Sequence, residues 1–400
     1  MRRPLLLLAP AAALGVVWVV ALFHGPTADV HITDVNIYRG YADALSAGHA
    51  PYSGFAFEYP PLALVPMWLG GLASTADTYG AYDVAFAIVT FVAAIAVMLL
   101  TASLARERAA TAAWIVALSP LLTGAVMRTH FDLVPVALLL AALFALTRDR
   151  PTAAFALLGL GAMTKLFPAL LVPIAAAWLI ASGRGRDAVR GIVAFAAVVA
   201  AISLPFVGSG YVDAYRYQLD RPVQIESTPA SVIFALGGSE VTGGPTVPDA
   251  YKSNGLVGGP ADAVQTLFEV VLLGVLALVV VLVRRAPPTE DSLRLGALAA
   301  LLAFAVLGKV LSPQFLIWLV PFGALAWTHG ERTAALLLGA AVLLTQLEFP
   351  ARYMQLVDQR TSVILLVAVR NATLLAALAL TLARLAGPVR SRRLASVATP

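Results

Sequence analysis

Two carboxylates stand out for the chemistry they could perform. Asp34 opens the stretch Asp34-Val-Asn-Ile-Tyr38, and Glu58 sits in Phe55-Ala-Phe-Glu58-Tyr59-Pro-Pro61. A positioned carboxylate can take a proton from a hydroxyl, so either could act as general base. Cations follow along the chain: Arg128, Lys165, Arg216, Arg221, Lys309, Arg352 and Arg360. Arg is the better bidentate clamp on a phosphate, and Lys the better point charge. A base with cations suits transfer of a group from a phosphate carrier, because phosphate leaves without a protonated acid. Arg128-Thr-His130-Phe-Asp132 adds a histidine beside a carboxylate. Two ligands do not make a metal site, so a relay or a satisfied structural pair competes with metal here, the structural pair ahead. No aspartate-X-aspartate motif and no glycine-rich phosphate loop occurs. The chain also has no cysteine, which removes thiol nucleophiles and zinc-thiolate sites.

The elements that must position these groups lie in lipid. Of 400 residues, 60% are hydrophobic and only 12% are charged, and the mean hydropathy is +0.86. Such a chain has too little polar surface to coat a soluble globule. The sequence therefore predicts an all-α polytopic membrane protein, a single integral domain over residues 1–400. Candidate spans cover 4–23, 82–104, 109–127, 131–147, 152–164, 166–180, 191–207, 264–283, 293–307, 313–327, 333–347 and 361–382. Several fall short of the roughly 20 residues that a perpendicular helix needs. The first run exceeds a signal-peptide core and lacks a small-residue cleavage site, so it reads as a retained helix. Heavy use of Ala, and of Arg over Lys, suggests a GC-rich bacterial genome.

Charge sets the orientation. With Met1 in the cytosol, the alternate loops carry Arg106, Arg108, Arg148, Arg150, Arg184, Arg186, Arg190, Arg284, Arg285, Arg294 and Arg332, and residues 384–400 form a basic tail. Most acidic residues fall on the opposite side. This bias predicts a multi-pass protein of the bacterial plasma membrane with both termini cytoplasmic. Pro61 to Leu72 is an apolar run too short to span. If it crossed, every later loop would invert, so it should lie at or dip into the outer surface.

Two outer segments are long, 24–80 and 208–263. In a bundle almost free of ionisable residues, polar groups gathered on one face mark the working face. Within the first loop Val35, Tyr38, Tyr41, Ala42 and Leu45 recur at helical spacing, opposite Asn36, Arg39, Asp43 and Ser46, which predicts a short amphipathic helix lying on the membrane. Asp34 would stand at its N-cap, where a carboxylate accepts backbone N–H bonds and is favoured by the helix dipole. A cap alone would explain it. The N-cap setting should also lower its pKa. Pro60-Pro61 suits a first helical turn. That does not account for Glu58, a carboxylate placed where desolvation is costly.

Asp34-Val-Asn-Ile-Tyr38, Tyr41-Ala42, Gly48, Pro51-Tyr52 and Glu58-Tyr-Pro-Pro61 resemble the first outer loop of the GT-C superfamily, specifically the family 87 mannosyltransferases. Lys165-Leu-Phe-Pro168, the run Tyr217 to Ser227 and Gly308-Lys-Val-Leu-Ser312-Pro-Gln314 are similar to that family too, so the likeness spans most of the chain. It implies a GT-C fold of about twelve transmembrane helices with outer juxtamembrane helices. It also implies an outer-loop aspartate as base and a polyprenyl-phosphate sugar as donor, often decaprenyl-phosphate mannose. By motif position the base falls on Asp34, with Glu58 second. Lys165, Arg221, Arg216 and Arg128 are the candidates for the donor phosphate, while Tyr38, Tyr59, His130, Asp132, Glu226 and Gln314 are those for substrate contacts. Many relatives place a histidine pair after the Ser-Pro motif, whereas this chain reads Ser312-Pro-Gln-Phe-Leu-Ile-Trp318. That departure bears on donor sugar and acceptor.

The bland alternatives are specific. Each cation could snorkel to lipid headgroups, and Arg221 could be tied to Asp220 or Glu226. Arg370, mid-span, should face the bundle and pair with a carboxylate. The expected function is a glycosyltransferase acting on a cell-envelope glycolipid or glycan hydroxyl, with membrane lipids as surroundings and no metal, cofactor or nucleic acid. A transporter or flippase of a lipid-linked saccharide is the competing class, disfavoured because its paired repeats and midplane polar sites are missing. A scaffold in an envelope-assembly complex is a third.

Overall fold

The computed structural model describes residues 5–24, 28, 32–73, 79–238, 240–244 and 252–397. The expectations placed on Met1 to Pro4, on parts of both long loops and on the tail side chains lie outside these.

Polypeptide order follows the apolar runs. Helix α1 (Leu5–His24) is succeeded by the amphipathic α2 (Val35–Ser46), whose buried Val35, Tyr38, Tyr41 and Ala42 form the predicted apolar face. Arg39 and Asp43 pair across its outer side at 3.5 Å. A short 3₁₀ turn begun by Pro61 leads into α3 (Leu64–Ala73), which packs between α2 and α4 (Tyr79–Leu104). The expected span 109–127 is broken into α5 (Ala109–Leu118), α6 (Pro120–Thr123) and α7 (Val126–Thr129). Pro120 lacks the N–H that would continue α5. Gly124 then turns at φ +61, with Gln346 filling the space a Cβ would need.

Beyond it run α8 (Leu133–Thr147), α9 (Pro151–Thr164), α10 (Leu171–Ala181) and α11 (Gly185–Ser203), packed as neighbours. The segment after them is not plain loop. It contains α12 (Ser209–Asp220), α13 (Thr228–Ala235) and the strands β1 (Val223–Gln224), β2 (Glu240–Gly243) and β3 (Asn254–Val257), an antiparallel sheet in the order β1-β3-β2 with Val223 and Val241 both opposite Leu256. The described residues remain mostly helical, as expected, with this small sheet as the addition. Ser227 caps α13 by accepting from the Ala230 N–H at 3.2 Å. The last group is α14 (Ala261–Arg285), α15 (Glu290–Leu307), α16 (Phe315–Thr328), α17 (Arg332–Glu348), α18 (Tyr353–Val357) and α19 (Thr361–Val397), with a Thr289/Ser292 capping box starting α15.

Among the described residues, four helices are long and apolar enough to cross a bilayer: Gly80–Leu104, Gly185–Phe206, Ala261–Arg285 and Thr361–Gly387. Others, including α8, α9 and α16, are apolar but shorter, so the twelve expected spans are not reached by length alone. The bundle nevertheless has two distinct polar ends. At one end Arg106 pairs with Glu290, Arg184 with Asp149 at 2.6 Å and Arg294 with Glu331 at 2.7 Å, while Arg108 donates to the Thr328 carbonyl at 2.5 Å. These are the basic loops. At the other end meet Asp34, His130, Asp132, Lys165, Glu58 and Lys252.

Arg128 fixes how the chain travels between them. Its guanidinium lies 4.2 Å over the Phe23 ring at the end of α1 and bonds Asp83 at the start of α4 at 2.6 and 2.8 Å. Both helix ends therefore touch one side chain at one level. Among the described residues, α1 ends and α4 begins at this one side chain, with α2 and α3 between them in the sequence.

A second buried charge ties the far helices together. Arg370 of α19 is 1% exposed and donates to the Glu226 carbonyl at 2.5 Å and to Thr345 Oγ1 at 3.4 Å, with the Glu226 and Glu348 carboxyls around it. It faces the bundle as expected, but its direct bonds run to a carbonyl and a hydroxyl. Replacing it as Arg370→Met strands two buried carboxyls and should cost about 3–5 kcal/mol. Thermal denaturation in detergent should show the loss, and adding Glu348→Gln should recover part of it.

Candidate active site

Asp34 is where α2 begins, and the Tyr38 N–H bonds its carbonyl at 3.0 Å. Its side chain makes no cap bond; Thr33 Oγ1 accepts from the Val35 N–H at 3.3 Å in its place. The cap reading is thereby corrected. The carboxylate turns into the structure, where Oδ2 accepts from Tyr38 OH at 3.3 Å and lies 3.5 Å from His130 Nε2. One helical turn separates Asp34 from Tyr38, which is why the amphipathic face supplies that donor. The Asp34 side chain is 34% exposed and that of His130 only 4%. One side of the carboxylate is held and the other is open. Burial pushes its pKa up, but His130 first, then Lys165 and Tyr38, more than offset this and hold it below the usual carboxylate range. The lowering expected from the helix dipole thus has a different cause.

His130 and Asp132 do not pair with each other. The chain leaves α7 in an extended conformation at His130 and turns into α8 at Asp132, whose side chain is fully buried. Asp132 takes Lys165 Nζ at 2.8 and 2.9 Å and Trp318 Nε1 at 2.6 Å. Lys165 is extended backbone just past α9, and its ammonium lies 5.1 Å from the Phe131 ring and 5.9 Å from those of Phe315 and Trp318. Trp318 stacks between Phe167 at 3.9 Å and Phe315 at 4.0 Å. Two motifs far apart in sequence, Lys165-Leu-Phe-Pro168 and Ser312-Pro-Gln314, therefore build one aromatic box around one lysine. Gln314 is the N-cap residue of α16. Among the described residues, no three His, Asp or Glu side chains converge as metal ligands.

Glu58 faces the second long segment. Its Oε1 accepts from Tyr41 OH at 3.4 Å and lies 3.3 Å from Lys252 Nζ, which also donates to Tyr41 Oη at 2.6 Å. Gln218 Nε2 bonds the Glu58 carbonyl at 3.1 Å. At Gly210 the start of α12 presses so closely on the Tyr52 carbonyl that a Cβ would sit 1.9 Å from the oxygen. Only glycine permits that approach. Tyr59 packs edge-on against Phe131 at 5.3 Å and near Tyr38 at 6.2 Å. A tyrosine-rich wall thus joins Asp34 to Glu58, and Glu58 is already neutralised.

Lys252 is the residue that motif reading passes over. A usable signal existed, since the chain has only three lysines, Lys165, Lys252 and Lys309. All three lie at this end, each beside a carboxylate. Lys309 bonds the Leu219 carbonyl, with Glu269 3.9 Å away, and burial lowers its pKa against the opposing pull of Glu269.

The other sequence candidates separate. Arg221 reaches Gln218 Oε1 at 3.2 Å and Ser253 Oγ at 2.6 Å, so it ties α12 to β3 instead of pairing with Asp220 or Glu226. Arg216 is 69% exposed and pairs with Asp213 at 3.3 Å on its own helix. Arg128 is engaged by Asp83 and Phe23 as described, which corrects the phosphate-binding expectation for it. Glu226 is corrected likewise. It is 1% exposed, accepts from Gln224 Nε2 at 2.8 Å, and cannot touch substrate. Burial and the neighbouring Glu348 push its pKa well above the usual carboxylate range.

A family model described as glycosyltransferase family 87 matches residues 57–313, well over half of the chain, and the chain belongs to that family. No curated protein matches it. The matched span contains Glu58, His130, Asp132, Lys165 and Lys252; Asp34 precedes it.

The contact between Lys252 and Glu58 gives a direct test of loop docking. Lys252→Met and Glu58→Gln should each speed proteolytic cleavage within 240–258 several-fold. The double variant should be no worse than the more damaging single, because both remove one interaction.

Proposed function

We propose that this family 87 glycosyltransferase moves a sugar, mannose by family resemblance, from a polyprenyl-phosphate carrier to a hydroxyl of a cell-envelope glycolipid or glycan, with Asp34 as general base. The reaction belongs on the outer face of a bacterial plasma membrane, with about twelve spans, both termini cytoplasmic and the basic loops facing inward. One observation carries the reading. A carboxylate held on one side by Tyr38 and His130, and open on the other, lies within electrostatic reach of Lys165 at the end of the bundle away from the basic loops.

The step balances without a further co-reactant. The acceptor oxygen attacks the anomeric carbon as Asp34 takes its proton, and the carbon–oxygen bond to phosphate breaks with its electron pair leaving on the phosphate. Attack from the face opposite the phosphate inverts the anomeric centre. Lys165 supplies positive charge to the leaving group. Asp132 fixes two of its bonding directions and the aromatic box excludes water around it, so the ammonium is aimed before substrate arrives. Arg221 and Lys309 extend the cationic side toward α12 and β3.

A lipid carrier needs a path for its tail. The apolar stretches of Gly185–Phe206 and Ala261–Arg285 are only 6% and 11% buried within the protein. Their sides require lipid chains as solvent, whether bilayer or carrier.

Asp34→Asn keeps the shape of the side chain and removes its proton-accepting charge. With radiolabelled polyprenyl-phosphate mannose and membrane glycolipids as acceptor, transfer should fall by on the order of 10²–10⁴-fold while elution on size exclusion stays unchanged. Transfer at the wild-type rate would remove Asp34 from the mechanism.

A further inference from the structure

Asp34 has a partner that nothing in the sequence pattern assigns to it. His130 is 3% exposed, and its Nδ1 lies 3.0 Å from the Val126 carbonyl and 3.0 Å from Thr129 Oγ1. The Thr129 hydroxyl donates to the Ala125 carbonyl at 3.0 Å, and a carbonyl can only accept. Nδ1 therefore carries a hydrogen in either charge state of the ring, and the tautomer is fixed. The other nitrogen, Nε2, faces Asp34 Oδ2 at 3.5 Å. A neutral ring in this tautomer would point a lone pair at a carboxylate. The contact is attractive only when a proton lies between the two groups.

We propose that His130 is the positioning residue of Asp34: anchored to the Val126 carbonyl through Nδ1–H, it presents Nε2–H and a positive charge to Oδ2, orienting the carboxylate that receives the acceptor proton. The inference rests on the reading of Asp34 as base. Among the described residues, Tyr38 and His130 both reach Oδ2, which leaves Oδ1 for the acceptor hydroxyl. Before reaction the pair holds one mobile proton, on Nε2. The acceptor adds a second, on Asp34, which returns to water through the exposed side of that carboxylate. The surrounding titratable groups come from five other places: Tyr38 on α2, Tyr59 before α3, Lys165 after α9, Asp132 before α8 and Tyr353 on α18, with Glu58, Tyr41 and Lys252 behind Tyr59. Lys165 adds to the positive field and Asp132 opposes it. None but His130 and Tyr38 makes direct contact with the carboxylate among the described residues.

Two substitutions separate the parts of this role. His130→Asn keeps a donor near the Val126 carbonyl and removes Nε2, while His130→Gln keeps a neutral donor toward Asp34 and removes the charge. Infrared titration of the purified protein reads Asp34 directly, its carboxyl band being the one lost in Asp34→Asn. In both His130 variants the midpoint of that band should rise by about one pH unit or more. The acid limb of kcat/KM for transfer from polyprenyl-phosphate mannose should move with it, and at a fixed mildly acidic pH activity should fall roughly tenfold, more in His130→Asn than in His130→Gln. A merely structural histidine would lower activity at every pH and leave both midpoints where they were, which would overturn the proposal. If His130→Asn does not fold, His130→Gln carries the test with the same two readouts. Should Asp34→Asn itself transfer sugar normally, the base reading fails, yet the infrared midpoint still decides whether the pair exists.

Discussion

A charge surrounded by hydrocarbon must bring its partner with it. This constraint organises the whole bundle, because a lone ionised side chain in lipid is costly while a paired and hydrogen-bonded one is tolerated. Arg128 brings Asp83, Lys165 brings Asp132, and Arg370 brings the carbonyl of Glu226 with two carboxyls nearby. Each pair joins helices that are distant in the chain. The ion pairs are therefore also the joints that bring distant stretches of the sequence into one place, and of these cations Lys165 alone keeps more than a few per cent of its side chain exposed.

What remains after that pairing is informative. Arg128 and Glu226 are sealed, Arg216 is turned to its own helix, and Glu58 is neutralised by Lys252. Asp34 differs from these. Its two contacts among the described residues leave a third of the side chain open, and one of the two is the buried imidazole of His130. A carboxylate kept ionised by neighbours but not consumed by them is what deprotonation of a hydroxyl requires, at some cost in intrinsic basicity. Tyr38 is fully buried behind it, packed against Phe86 and Phe131, and so holds the carboxylate from the protein side.

The helical architecture was legible because hydropathy and the 3.6-residue period record it directly. The α2 helix falls on the predicted apolar stripe. Membership of family 87 was legible in Glu58-Tyr-Pro-Pro61 and the later motifs. The break at Pro120 and Gly124 was not, since an apolar run hides a turn, and strands of two to four residues give no period to detect. Nor could sequence tell whether the Asp34 side chain caps α2 or turns inward. Asp34 sits at an N-cap in both cases, and the difference lies in where its side chain points. His130 was visible beside Asp132, two residues away, yet its partner proved to be Asp34. Extended backbone at His130 gives way at once to the turn that starts α8 at Asp132, and no spacing rule anticipates a ring held by the Val126 carbonyl.

Transfer requires lipid phosphate, base and acceptor to meet at one end of the bundle. A structure of the protein with bound polyprenyl phosphate tests this directly. A phosphate oxygen within about 3 Å of Lys165 Nζ, with the open side of Asp34 facing the same cleft, is the predicted result. Phosphate seated among Arg184, Arg294 and Arg106 at the opposite end would contradict it.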